Sequence, residues 1–214
     1  MWRLLVLLLL HPVSATELAS LKEDEDAYAG EASTVDGQLI SLVQAKGADD
    51  PSLVSELLSN GASPSASGLY NYTAIMWAVV RHKVATLQAL LDAGGDPGRD
   101  ALFLAAWEGE PMVRLLIDHG ADVSACAEHD EWTPLHKAAE KGSLPVVAML
   151  LEAGADPHAR TLPDKTFEDG IVPVDLARRK LKRLGKKKAP GEAAELRQLI
   201  ALLVQHSQGE KEEL

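Results

Sequence analysis

The stretch that decides the fold is Trp132–Asp156, which reads WTPLHKAAEKGSLPVVAMLLEAGAD. Thr133 suits a helix N-cap, because its hydroxyl can accept a hydrogen bond from an unpaired amide at the helix start. Pro134 follows at the first helical position, where a missing N–H costs nothing. The pattern predicts two short helices, the first ending at Gly142 and the second at Gly154. Neither helix is long enough to be stable alone in water, so the unit must pack within a stack.

The same unit recurs along the chain, because a glycine stop follows a leucine pair at similar intervals. The four stops are Gly61, Gly94, Gly120 and Gly154. Successive stops lie roughly 33 residues apart, although Gly94 and Gly120 are closer together. Agreement among four units argues against coincidence and predicts an all-α solenoid.

Three segments carry a family resemblance: TPLH at Thr133–His136, AAEKG at Ala138–Gly142 and LLEAGAD at Leu150–Asp156. They resemble the ankyrin repeat, whose signature is a T-P-L-H-x-A core at a period near 33 residues. The resemblance implies a solenoid of about five helix-turn-helix units over residues 37–206, with the outer two units as degenerate caps. It also implies that His136 is structural, tying a hairpin to the helix start, rather than a base or a ligand.

The links between the predicted units differ in length. In ankyrin-like stacks each link is a hairpin finger. The link 97–99 is too short to form one, so we predict a notch in the row of fingers before the third unit, whose helix cap would be Asp100. The link 157–171 predicts a long finger before the fifth unit, which ends in an amphipathic helix at Glu192–His206.

Large aromatic residues fall at the variable positions of the units rather than at the leucine and alanine core positions. In ankyrin-like folds the fingers and first helices form a concave face that binds proteins, and exposed rings mark such surfaces. We therefore predict that a protein partner binds eight residues of this face: Tyr72, Trp77, Trp107, Glu108, Trp132, Lys137, Glu140 and Lys141. The alternative is that the rings pack on one another or on neighbouring fingers. Binding is the preferred interpretation for Trp107, and packing is preferred for Trp77.

No catalytic, cofactor or metal site is predicted. The common nucleophile, phosphate-loop and zinc-protease motifs are absent, and His129 with His136 fits no familiar metal spacing. The net charge of −11 argues against general binding of nucleic acids, whose phosphates require a basic face. The expected function is that of a monomeric adaptor or scaffold for proteins. An enzyme, the hypothesis from a different class, would require a pocket of convergent polar groups.

The two ends of the sequence predict its location. Residues 1–15, MWRLLVLLLLHPVSA, have the charged, apolar and small-residue parts of a secretory signal peptide; the alternative is a buried N-terminal helix. The apolar run is too short to span a bilayer. Residues 16–36 predict an acidic, disordered linker. The tail 207–214 ends in KEEL, which resembles a retention signal of the endoplasmic reticulum, so we expect a protein of that lumen without a membrane span.

Three further features depend on that location. Asn71 begins an Asn-Tyr-Thr sequon for N-glycosylation. Cys126 would be unpaired in an oxidising compartment, either shielded or free to form a mixed disulfide with a partner. The basic run 178–188 would be a solvated loop, a patch for acidic partners or lipid head groups, or a partner for the chain's own acidic segment. In a cytosolic or nuclear scaffold, the alternative, this run would act in import or anionic binding.

Overall fold

The computed structural model describes residues 34–68, 71–126, 131–163, 169–184 and 190–209. Within these ranges the chain forms ten helices and no β-strand, which confirms the predicted all-α class. In chain order the helices are α1 (Val35–Gln44), α2 (Pro51–Ser59), α3 (Ala74–Val80), α4 (Val84–Asp92), α5 (Asp100–Glu108), α6 (Glu110–Asp118), α7 (Pro134–Lys141), α8 (Leu144–Glu152), α9 (Pro173–Leu184) and α10 (Pro190–Gly209).

The helices form two rows. The first helices of successive units, α1, α3, α5, α7 and α9, pack against one another, and so do the second helices, α2, α4, α6, α8 and α10. Each first helix also packs against the second helix of its own unit. This arrangement is the predicted solenoid of five helix-turn-helix units. We call the solvent-facing side of the first-helix row, with the finger bases beside it, the concave face.

Threonine N-caps start the first helices of three units. The hydroxyls of Thr34, Thr73 and Thr133 each accept the amide of the third helical residue. These bonds satisfy amides that have no partner within the helix. Helix α5 differs from the prediction, because Asp100 is its first helical residue rather than its cap. The cap position is taken by Arg99, which makes no side-chain cap hydrogen bond.

The boundaries of the solenoid extend beyond the predicted ones. Helix α1 begins at Val35, two residues before the predicted start at residue 37, because Thr34 supplies the cap. Helix α10 continues to Gly209, past the predicted end at residue 206. The predicted signal peptide, most of the predicted linker and the KEEL residues lie outside the described part of the chain. None of the described helices is long and apolar enough to cross a bilayer.

Small and branched apolar side chains fill the space between the two rows. In the fourth unit the fully buried side chains are those of Leu135, Ala138, Ala139, Val146, Val147 and Leu150. Gly142 ends α7 in the left-handed conformation, with φ of 79°. That conformation favours glycine, so the predicted stop has a backbone reason.

Candidate partner-binding face

Equivalent side chains of neighbouring first helices lie beside one another on the concave face, because the buried positions of α3, α5 and α7 coincide. Three sets of half-buried or exposed residues follow from this register: Trp77, Leu104 and Lys137; Val80, Trp107 and Glu140; and Arg81, Glu108 and Lys141. These sets contain all the predicted partner-binding residues except Tyr72 and Trp132. Those two residues stand at the finger bases, immediately before the N-caps of α3 and α7.

Trp107 is the exposed ring of this face. Its side chain belongs to α5, the central helix of the first-helix row, and the residue is 43% exposed. Trp77 and Trp132 are half-buried against the core. The predicted exposure of Trp107 is therefore observed, and the preferred interpretation of Trp77 as a packed ring agrees with its burial.

The ammonium of Lys137 lies among three aromatic rings. Its Nζ is 4.8 Å from the centroid of the Trp107 ring. The corresponding distances are 5.4 Å to Trp132 and 5.7 Å to Phe103. All three are within the range of cation–π attraction. Phe103 was not predicted to belong to this face, because it aligns with the buried His136 of the fourth unit; in α5 the equivalent side chain is half-buried.

Lys141 joins helix α7 to the end of helix α5. Its Nζ donates to the backbone carbonyl of Trp107 and, at 3.3 Å, to that of Glu108. These carbonyls belong to the last residues of α5, where backbone acceptors have no donor within the helix and a cation is favoured. The same Nζ lies 6.0 Å from the centroid of the Trp107 ring. Lys141 therefore contacts both the backbone and the ring of Trp107.

Two carboxylates neighbour this cluster. Glu140 Oε2 lies 3.1 Å from Lys137 Nζ, one helical turn away on α7. Glu108 Oε2 lies 3.0 Å from the Nε2 atom of His82, which joins the second unit to the third. Both predicted acidic residues are thus engaged with cationic or basic groups of the chain itself.

A second aromatic pair lies on the second unit. The rings of Tyr72 and Trp77 are 5.3 Å apart between centroids and tilted by 50°. The guanidinium carbon of Arg81 is 5.5 Å from the centroid of Trp77. This pair continues the aromatic and cationic character of the face toward the N-terminal end of the stack.

The predicted notch corresponds to an open pocket where the finger is shortened. Its walls are the link before α5 and the segment after α6, and the lining residues include Asp96, Pro97, Arg99, Asp122 and Cys126. Cys126 is half-buried and makes no disulfide.

Asn71 is exposed and adopts a left-handed conformation, with φ of 59°. The hydroxyl of Thr73, the third residue of the sequon, accepts the amide of Met76 at 3.2 Å as the N-cap of α3. The sequon threonine therefore has a structural role in the folded chain whether or not a glycan is attached.

His136 is fully buried and holds two units together. Its Nδ1 accepts the amide of Thr133 at 3.2 Å, so the proton is on Nε2, which donates to the carbonyl of Ile171 at 2.9 Å. Burial lowers the pKa of His136 below its usual value of 6.5. The predicted structural role of His136 is therefore observed. His129 lies outside the described residues, and the described ranges contain no cluster of potential metal ligands.

The basic run begins on helix α9, and residues 185–188 of it lie outside the described part. Lys180 Nζ donates to the backbone carbonyl of Lys141 and lies 3.7 Å from Glu192 Oε1. Arg178 Nη1 lies 3.2 Å from Asp175 Oδ1. The remaining described basic residues of the run include Lys182 and Arg183, both exposed. The bond of Lys180 to the carbonyl of Lys141 places one cation of α9 beside the end of α7.

A family model described as "Ankyrin repeats (3 copies)" matches this chain twice, over residues 39–126 and 85–161. Among curated proteins, the 2-5A-dependent ribonuclease of Mus musculus is 43% identical over 78 residues, which are 36% of this chain and 10% of that protein. The nuclear factor NF-kappa-B p105 subunit of Gallus gallus is 31% identical over 189 residues, 77% of this chain and 19% of that protein. Ankyrin repeat domain-containing protein 49 of Homo sapiens is 40% identical over 67 residues, 31% of this chain and 28% of that protein.

The chain spans less than a third of the length of each of these relatives. What they share with it is the repeat array, and the matched residues 39–161 include the concave-face cluster of α5 and α7. The matched residues make up more than half of the 214 residues of the chain. The chain belongs to the ankyrin-repeat family, whose members serve as protein-binding scaffolds.

Proposed function

We propose that this chain is a protein-binding adaptor of the endoplasmic reticulum lumen, and that its partner binds the concave face. The observation that carries the proposal is the exposure of Trp107 at the centre of the first-helix row. Residues that dominate protein interfaces are most often tryptophan, tyrosine and arginine near the centre of the contact. The proposal assigns the chain no catalytic role.

The packing around Trp107 supports a preformed binding surface. Lys141 bonds to the backbone of Trp107, and Lys137 lies over its ring. Side chains that are already fixed lose little conformational freedom on association, which leaves more of the contact energy for affinity. The half-buried Trp77 and Trp132 on either side would widen the same contact.

The lumenal location rests on the residue patterns at 1–15 and 211–214 and requires both to be read by the secretory machinery. The alternative is a cytosolic or nuclear scaffold, which the exposed cations of α9 would suit. An epitope inserted between residues 20 and 21 leaves both ends free and separates the two. Protection of the epitope from added protease in intact microsomes, lost with detergent, is expected for the lumen. Digestion without detergent would favour the alternative.

The concave face is tested by Trp107→Ala in the full chain. Partners are captured by chemical cross-linking in the compartment where the chain resides, and affinity is then measured with the purified partner. Loss of a central hot-spot residue is expected to cost about 2 kcal/mol or more, about 30-fold in Kd. Leu53→Ala is the matched control, because Leu53 is 49% exposed on the second-helix row. Equal affinity of the Trp107→Ala and Leu53→Ala proteins would refute the concave-face assignment.

A further inference from the structure

The charge of the concave face is opposite to that of the chain as a whole. The chain carries a net charge of −11. The charged side chains of α7 and α9 are mostly cationic: Lys137, Lys141, Arg178, Arg179, Lys180, Lys182 and Arg183. Lys137 and Lys141 lie at the Trp107 ring, and Lys180 adjoins them through its bond to the carbonyl of Lys141. The carboxylates described beside these cations are those of Glu108, Glu140, Asp175 and Glu192, so cations remain in excess. Segregation of this kind favours a partner of negative charge.

The exposed ring and its cations cannot be covered separately. Lys137 Nζ and Lys141 Nζ lie 4.8 Å and 6.0 Å from the centroid of Trp107. A side chain that packs on the ring therefore also removes water from the two ammonium groups. The hydrogen bonds described for Lys141 Nζ go to backbone carbonyls, which carry no formal charge.

Burying these cations has an energetic consequence for the partner. Taking an ammonium out of water is unfavourable unless an opposite charge with good geometry replaces the water. Lys137 already has the carboxylate of Glu140 at 3.1 Å, whereas the described bonds of Lys141 go to uncharged carbonyls, so a neutral apolar surface on Trp107 would leave Lys141 without a counter-ion. A carboxylate beside the apolar contact would offset the lost hydration. An ammonium has three donors, of which the described bonds use two on Lys141 and one on Lys137.

We propose that the concave face selects an acidic segment of its partner protein, in which a large apolar side chain packs on Trp107 and flanking carboxylates pair with Lys137 and Lys141. The proposal rests on the function proposed above and specifies the chemistry of the partner. Lys180 of α9 adjoins the same surface at Lys141, so an extended acidic segment would run from α5 toward α9. The face would reject basic segments and discriminate against neutral ones.

The test uses the full chain and a fluorescein-labelled peptide with one phenylalanine flanked on both sides by aspartate and glutamate. Fluorescence anisotropy measures its affinity. One matched peptide replaces the carboxylates by amides, and another replaces the phenylalanine by alanine. Each matched peptide is expected to bind about tenfold more weakly or worse, the equivalent of 1.4 kcal/mol. Affinity for the acidic peptide should also fall as salt is raised.

Protein variants assign the effect to named residues. Lys141→Gln and Lys137→Gln are each expected to lower the affinity for the acidic peptide about tenfold. The affinity for the amide peptide should stay almost unchanged. Two variants are used because Lys141 also bonds to the end of α5, whereas the described contacts of Lys137 are side chains. Arg197→Gln is the control, since Arg197 is exposed on α10 in the second-helix row. It removes the same charge from the other side of the stack.

Three outcomes would overturn the proposal. The first is an amide peptide that binds as tightly as the acidic one. The second is an Arg197→Gln effect as large as that of Lys141→Gln, which would mean nonspecific charge attraction. The third is a gain in affinity when residues 23–26 are converted to amides, which would make the chain's own acidic segment the occupant. If these tests fail while Trp107→Ala still weakens a captured partner, the concave-face function stands and only the acidic chemistry is wrong.

Discussion

The carboxylate of Asp49 caps a helix of the next unit through Thr86. Asp49 Oδ1 accepts the amide of Thr86 at 2.9 Å, and Oδ2 accepts the amide of Ala85 at 2.6 Å. Helix α4 has no cap of its own, because its N-cap residue Lys83 makes no side-chain cap hydrogen bond. Asp49 lies in the turn between α1 and α2, so one side chain joins the middle of the first unit to the start of the second helix of the next.

Asp49→Ala should destabilise the chain by about 1–2 kcal/mol, because two first-turn amides of α4, those of Ala85 and Thr86, lose their acceptors. Asp49→Asn should cost less, since one amide oxygen can still accept a bond. The measurement is urea unfolding followed by circular dichroism. Glu56→Ala, on the exposed side of α2, is the control. An Asp49→Ala effect below about 0.5 kcal/mol, as for ordinary surface changes, would show that the cap is not formed in solution.

The repeat register could be predicted from the sequence, but bonds between units such as those made by Asp49 and Lys83 could not. Glycine stops and threonine caps act within a few residues, so their spacing along the chain is sufficient to place them. The Asp49 cap and the bond from Lys83 Nζ to the carbonyl of Leu42, at 3.1 Å, join residues far apart in sequence. Such contacts depend on the exact rotation between units, and a periodic pattern does not contain that information.

The limits at the first unit have a similar origin. Asp36 was assigned to the acidic linker because acidic residues precede it, yet it lies in the first turn of α1. Its Oδ1 accepts the amide of Ser63 at 2.7 Å, which ties the helix to the stop of its own unit. Composition describes a stretch on average, whereas a single cap such as Thr34 decides where a helix begins.

The candidate site was also predicted only in part. The register placed Trp107 on the surface because its position is variable between units, and its observed exposure agrees with that prediction. The cluster of Lys137 with Phe103 and Trp132 was not predicted as such, since it depends on the directions of long side chains from two helices and a finger base. Partner binding by these residues stays a prediction.

Leu150→Ala should destabilise the chain by about 2–5 kcal/mol, the range for truncation of a buried leucine. Leu150 belongs to α8, and its side chain is fully buried. Leu53→Ala makes the same chemical change at a residue that is 49% exposed, so it should cost far less. Both are measured by thermal and urea unfolding. Similar losses for the two variants would contradict the assigned burial of the repeats.

Acid should destabilise the fold through His136. Because burial lowers its pKa in the folded chain, the unfolded chain takes up a proton first as the pH falls below about 6.5. The free energy of unfolding should therefore be independent of His136 above that pH and decrease below it, by at most about 1.4 kcal/mol per pH unit. Protonation would also place an N–H of the ring against the amide of Thr133.

The measurement for His136 is urea unfolding at a series of pH values, for the natural chain and for His136→Gln. The variant should be less stable at neutral pH, because a buried bond to Ile171 is lost or weakened. The gap between the two proteins should narrow as the pH falls below about 6.5. A gap that is constant with pH would mean that the histidine is not held neutral.

His119 should make the fold less stable as the pH rises, whereas His136 makes it less stable as the pH falls. A hydrogen bond to the backbone carbonyl of Leu115, at 2.8 Å from Nδ1, is the main cause that raises its pKa above 6.5, and Asp92, at 3.2 Å from Nε2, adds to it. The stabilising contribution of His119 is therefore complete below its unfolded pKa and is lost as the pH rises through the higher folded pKa.

His119→Gln should remove this loss of stability at alkaline pH and leave the acid dependence caused by His136 unchanged. The two residues are in different units and share no partner within the described part of the chain, so the double variant should show both changes together. If His119→Gln instead changed the free energy of unfolding at acid pH, His119 would not be the group responsible for the loss of stability at alkaline pH.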